Sequence, residues 1–136
     1  MSILVATIPH TGTRFLNKLF KGNGLIWRPL GERPADVYFT HLYSGFLPKV
    51  LAFDGQIVCP MRKREKIEAS WRARNEQGTW FPNTLDECFA VFDKIKDKAL
   101  IIHIDDEAMR DRELASVSDI VGVKLKTDWA VVGARK

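Results

Sequence analysis

The residues Pro9, His10, Thr11, Gly12, Thr13 and Arg14, set between the apolar run Ile3-Leu4-Val5-Ala6 and a segment of helical periodicity, are of the types that hold an anion. Backbone N–H groups entering a helix have no intrahelical partners, and the helix dipole adds positive potential there. A phosphate or sulfate fits such an end with little help from side chains. Gly12 allows close approach of the backbone, and Thr11 and Thr13 offer hydroxyl donors. No Gly-Lys-Ser/Thr follows the turn, so it is not a Walker A loop. The same residues also suit a plain strand-to-helix turn capped by threonine. His10 either donates to a ligand oxygen when protonated or caps the turn, and Arg14 supplies a fixed charge beside it.

Two further positions carry chemistry. His41 closes the run Val37-Tyr38-Phe39-Thr40, and an imidazole at a strand end beside an anion loop suits a general base. The competing reading is a half-buried histidine bonded to backbone. Arg62 ends the run Gln56–Met61, and Ser70 lies eight positions on, inside a helical pattern. Around them, Lys63, Lys66 and Arg74 read as a solvated helix face, and Lys18 as solvated too. His103, inside Leu100–Ile104, reads as a satisfied sheet residue. Trp71 and Phe89 are expected in the core. Trp80 and Phe81, in a loop, are aromatics of the kind that stack on a purine. Asp105 and Asp106 lack a third ligand at metal spacing and are expected to cap the last helix.

The elements that must position these groups follow from periodicity. Strands are expected at about 2–8, 37–42, 56–61 and 99–104, with a short one around Leu25-Ile26-Trp27. Helices are expected at about 13–21, 46–51, 63–76, 84–96 and 106–121, with Gly22 and Gly24 ending the first. Thr84 and Glu87 have the spacing of a capping box. Strands alternating with helices predict an α/β fold, a three-layer sandwich around a central, mainly parallel sheet of four to five strands, forming one domain over 1–136. Ligands of such sheets sit at the carboxyl ends of the strands, where Pro9–Thr13, His41 and Arg62 all fall.

In order and spacing these segments resemble the nucleotide-binding signature of PAPS-dependent sulfotransferases. That family's first motif, Pro-Lys/Arg-Ser/Gly-Gly-Thr, holds the 5′-phosphosulfate, and Pro9, Thr11, Gly12 and Thr13 match it. Its second motif places an Arg at a strand end and a Ser eight residues later on the nucleotide's 3′-phosphate, which Arg62 and Ser70 match. Thr40-His41-Leu42 resembles the family's Thr-His-Leu catalytic histidine. Residues 99–106, with Asp119–Val123, are similar to its late strand, acidic pair and closing helix. The resemblance covers most of the chain. It implies a P-loop-like sulfotransferase topology, PAPS as co-substrate and PAP as product. It also implies nucleotide contacts from Pro9, His10, Thr11, Gly12, Thr13, Arg14, Phe15, Arg62 and Ser70. His41, His10 and Arg14 take the catalytic roles, without a metal. His10 stands where the family has a basic residue, often a Lys that assists the leaving phosphate. At 136 residues the chain is shorter than typical members, so acceptor-binding insertions are expected to be minimal or absent.

Composition fits this picture. The chain is 46% hydrophobic, enough for one ordinary core. Its net charge of +4, from 21 Lys and Arg against 17 Asp and Glu, suits an anionic ligand but is too mild to imply nucleic acid. Cys59 and Cys88 have no metal or redox spacing and are expected as buried thiols. No secretory or membrane segment is evident, so a cytoplasmic enzyme acting on a small-molecule or glycan acceptor is expected. Two alternatives stay open: a non-catalytic module that binds PAP, another nucleotide or nucleic acid, and a P-loop nucleotide kinase. The missing Gly-Lys-Ser/Thr argues against the second.

Overall fold

Strand β1 (Ile3–Thr7) is buried along its whole length, as a strand flanked on both edges and covered on both faces must be. The computed structural model describes residues 2–9, 11, 13–78 and 81–126. His10, Gly12, Trp80 and the tail containing Trp129 lie outside the described residues. After β1 come α1 (Thr13–Gly22), β2 (Trp27–Pro29), β3 (Val37–His41), α2 (Leu47–Leu51), β4 (Gln56–Met61), α3 (Arg64–Glu76), α4 (Leu85–Ile95), β5 (Ala99–His103) and α5 (Glu107–Val121). The five strands form one sheet in the order β2-β3-β1-β4-β5, and every pairing is parallel. The expected α/β fold is thus the observed one. The short strand near residue 26 begins later than its apolar residues suggested, at Trp27, where it pairs with Val37.

Alternation along β1 divides the core into two layers. Ile3 and Val5 pack with Leu16, Leu19 and Phe20 of α1 and with Leu114 and Val117 of α5. Leu4, Ala6 and Ile8 pack on the opposite face with Val50 of α2, Ile67 and Trp71 of α3, and Cys88, Val91 and Ile95 of α4. Both cysteines are buried free thiols, and burial raises Cys59 to about 12 and Cys88 to about 11. Phe89 is only partly buried, and the Arg64 guanidinium lies 4.3 Å from its ring centroid.

Helix ends follow local chemistry. Thr84 accepts from the Glu87 N–H while the Glu87 carboxylate accepts from the Thr84 N–H, completing the box that its sequence spacing suggested. Asp106 accepts from the Met109 N–H and caps α5, which ends at Gly122 with φ of 75°. That left-handed conformation favours glycine. Asp105, expected to share the capping, does something else, described below. Among the described residues, no helix is long and apolar enough to cross a membrane.

The chain leaves β1 toward β2 at one edge and leaves β4 toward β5 at the other. The carboxyl ends of β1 and β4 therefore diverge at a topological switch point, where open α/β sheets form a crevice.

Candidate anion-binding cleft

A cleft of about 610 Å³ opens at that switch point, lined by Pro9, Thr13, Arg14, Asn17, His41, Tyr43, Arg62, Ser70, Arg74 and Phe81. Three strand ends contribute to it. Pro9 and Thr13 follow β1, His41 ends β3, and Arg62 follows β4. Six positions nominated from sequence for the site (Pro9, Thr13, Arg14, His41, Arg62 and Ser70) therefore meet in one place. Among its described lining residues three are arginines and none is a carboxylate, so the cleft favours an anion.

Its hydrogen bonds redistribute the expected roles. Thr11 is fully buried and donates its hydroxyl to the Ile8 carbonyl, so that hydroxyl serves the turn rather than a ligand. Thr13 donates to Thr7 Oγ1 at 3.0 Å, and Thr7 Oγ1 lies 3.1 Å from His41 Nδ1. Thr7 and His41 are register partners across β1 and β3, which is why the chain of contacts closes. Thr7 Oγ1 has lone pairs for both neighbours. With Nδ1–H donating toward Thr7, His41 keeps its basic lone pair on Nε2. Burial holds the His41 pKa below its ordinary value, against a smaller opposing effect of its hydrogen bond to the Thr7 backbone. Burial thus favours the neutral imidazole, the form that accepts a proton.

The Phe15 side chain lies apart from this group. It packs on the α1–α5 side of the core, with the Arg110 guanidinium 5.3 Å from the ring centroid, and it does not line the cleft. Helix geometry explains this: Thr13 and Asn17, four apart, share one face, and Phe15 between them points elsewhere. Asn17 was missed from sequence although that spacing singles it out. Its Oδ1 is buried with no hydrogen-bond partner among the described residues. Arg74, read as part of a solvated face, is a second miss of the same kind, because it lies four residues after Ser70 on α3.

The loop is anchored from behind. The Trp71 indole N–H donates to the Pro9 carbonyl at 2.8 Å, and Phe81 stacks on the Trp71 ring at 4.1 Å between centroids. Phe81 thus forms part of a two-ring wall reaching the cleft. Trp71→Phe would leave the buried Pro9 carbonyl without its donor, and is expected to cost about 1–3 kcal/mol of unfolding free energy. Urea unfolding reads this directly; an unchanged midpoint would mean that the bond contributes nothing.

His103 fits its expected structural part. Its backbone N–H donates to Glu113 Oε1 at 2.8 Å, and its Nδ1 pairs with Oε2 of the same carboxylate, tying β5 to α5. Lys66 reaches Asp105, while Arg64 pairs with Glu68 and Asp86 on the exposed side of α3.

No protein-family model matches the chain, and no curated protein matches it.

Proposed function

We propose that this chain is a PAPS-dependent sulfotransferase that transfers a sulfuryl group to an acceptor hydroxyl or amine. The observation that carries the reading is the meeting of Thr13, Arg14, His41, Arg62 and Ser70 in one cationic cleft at the switch point of a parallel sheet. The turn into α1 is suited to the 5′-phosphosulfate, with Arg14 as its fixed charge. Arg62 and Ser70, with Arg74 beside them, are suited to the 3′-phosphate. Transfer breaks the bond between sulfur and the 5′-phosphate oxygen, which keeps the electron pair, and forms a bond from sulfur to the acceptor atom. The acceptor's proton passes to Nε2 of His41. Positioning and charge stabilisation supply most of the rate in transfers of this type. His10 is a further candidate to assist the departing phosphate.

A P-loop kinase fits less well, since β4 is followed by Arg62 rather than a magnesium-holding carboxylate. The non-catalytic binding module draws its support from His10, which stands where a permanently charged residue would serve the leaving group better.

Thermal unfolding with PAP, ADP and ATP tests the reading. A ligand at a hundred times its Kd stabilises by about 2.7 kcal/mol, so PAP should raise Tm by several degrees at concentrations where ADP and ATP do little. A larger shift with ATP would favour the kinase, and no shift with PAP would remove the proposal.

A further inference from the structure

We propose that Asp105 is a positioning residue for Arg62, holding its guanidinium by Nε so that the two terminal nitrogens are presented to the 3′-phosphate. This rests on the reading of the cleft as a PAPS site and goes beyond it by naming what orients the group that grips the nucleotide.

Asp105 lies two residues past β5, and β5 pairs with β4 so that His103 stands opposite Met61. The Asp105 carboxylate therefore arrives at the level of Arg62 and Lys63. Its two oxygens divide the work. Oδ2 accepts from the Lys63 N–H at 3.1 Å, at the entrance to α3. Oδ1 accepts from Arg62 Nε at 3.3 Å and from the Lys66 ammonium at 3.3 Å. An arginine on a flexible stem loses little reach but much aim when its guanidinium is unheld. Among the described residues the contact is through Nε alone, rather than a two-pronged pairing, which leaves both terminal nitrogens as donors for another acceptor. Arg62 lines the cleft and Asp105 does not; the two residues share a neighbouring hollow of about 520 Å³, so Arg62 stands between the carboxylate's side and the cleft. Burial works to raise the Asp105 pKa, but the Lys63 N–H, Lys66 and Arg62 outweigh it and the net shift is downward. The group is a carboxylate across the neutral range.

The two consequences of a carboxylate here have opposite signs. Its charge opposes an anion bound nearby and weakens the field of Arg62 and Lys66. Its hydrogen bond aims Arg62 and favours that anion. Asp105→Asn removes the charge and keeps an oxygen to accept from the Lys63 N–H, so electrostatics alone would make PAP bind more tightly, and lost positioning would make it bind more weakly.

The experiment is calorimetric titration of the wild type, Asp105→Asn, Arg62→Ala and the double variant with PAP and with AMP, which lacks the 3′-phosphate. Asp105→Asn is expected to weaken PAP about fivefold and to change AMP less than about twofold, and to add nothing in the Arg62→Ala background, because contacting residues are not additive. Unchanged or tighter PAP binding would overturn the proposal. So would an equal loss for PAP and AMP, which marks a purely structural staple, or a loss that persists without Arg62. If instead the wild type does not prefer PAP over AMP and Arg62→Ala is silent, the site reading itself fails and this inference falls with it.

Discussion

His41→Ala is expected to lower sulfuryl transfer from PAPS by roughly a hundredfold to ten-thousandfold while leaving PAP affinity within about twofold. An acceptor hydroxyl is a poor nucleophile until its proton begins to leave, and the half-buried imidazole of His41, which lines the cleft with Pro9 and Thr13, is the base we propose. The sign of the pH dependence follows. The base works only when unprotonated, so the rate rises with pH through the His41 pKa and is level above it. Because burial lowers that pKa, the rising limb should be centred below the ordinary histidine value of about 6.5, and His41→Ala should lack it. Release of PAP from radiolabelled PAPS, followed from pH 5 to 8, measures both. A variant that keeps its turnover but loses PAP affinity would make His41 a binding residue.

Arg62→Ala should weaken PAP about tenfold to a hundredfold, from about 1.5–3 kcal/mol for a charge-assisted phosphate contact, and leave AMP nearly unchanged. The selectivity matters more than the size of the loss. Arg62 is also paired with Asp105, so its removal leaves that carboxylate with Lys66 and the Lys63 N–H and perturbs the entrance to α3. A structural disturbance of that kind would weaken both nucleotides alike, and such a result would remove Arg62 from the site. Calorimetry on the two ligands separates the cases.

What the sequence made legible was local. The apolar runs located the strands within a residue or two, the Thr84–Glu87 spacing located the start of α4, and the β1–α1 turn, His41 and Arg62 stood out as groups at strand ends. What stayed hidden depends on which strands are neighbours. Thr7 gains its place only because β3 lies beside β1, bringing His41 opposite it. Asp105 meets Arg62 only because β5 lies beside β4. Neither adjacency is written in any one segment. Asn17 and Arg74 are different: each lies four residues after a nominated position on a helix, and helical geometry alone places both pairs on one face. Thr11 offers a hydroxyl at the turn, and Phe15 enters only with the family resemblance. The turn uses the Thr11 hydroxyl for itself, and the helix turns the partly buried Phe15 against the core.

The most direct test of the central claim, that this cleft grips a nucleotide by both of its phosphate ends, is phosphorus NMR of PAP titrated with the protein. Both the 5′- and 3′-phosphorus resonances should shift on binding to the wild type, and with Arg62→Ala the response of the 3′-phosphorus alone should be lost. A 3′ resonance that does not move with the wild type, or that moves equally with Arg62→Ala, would contradict the account.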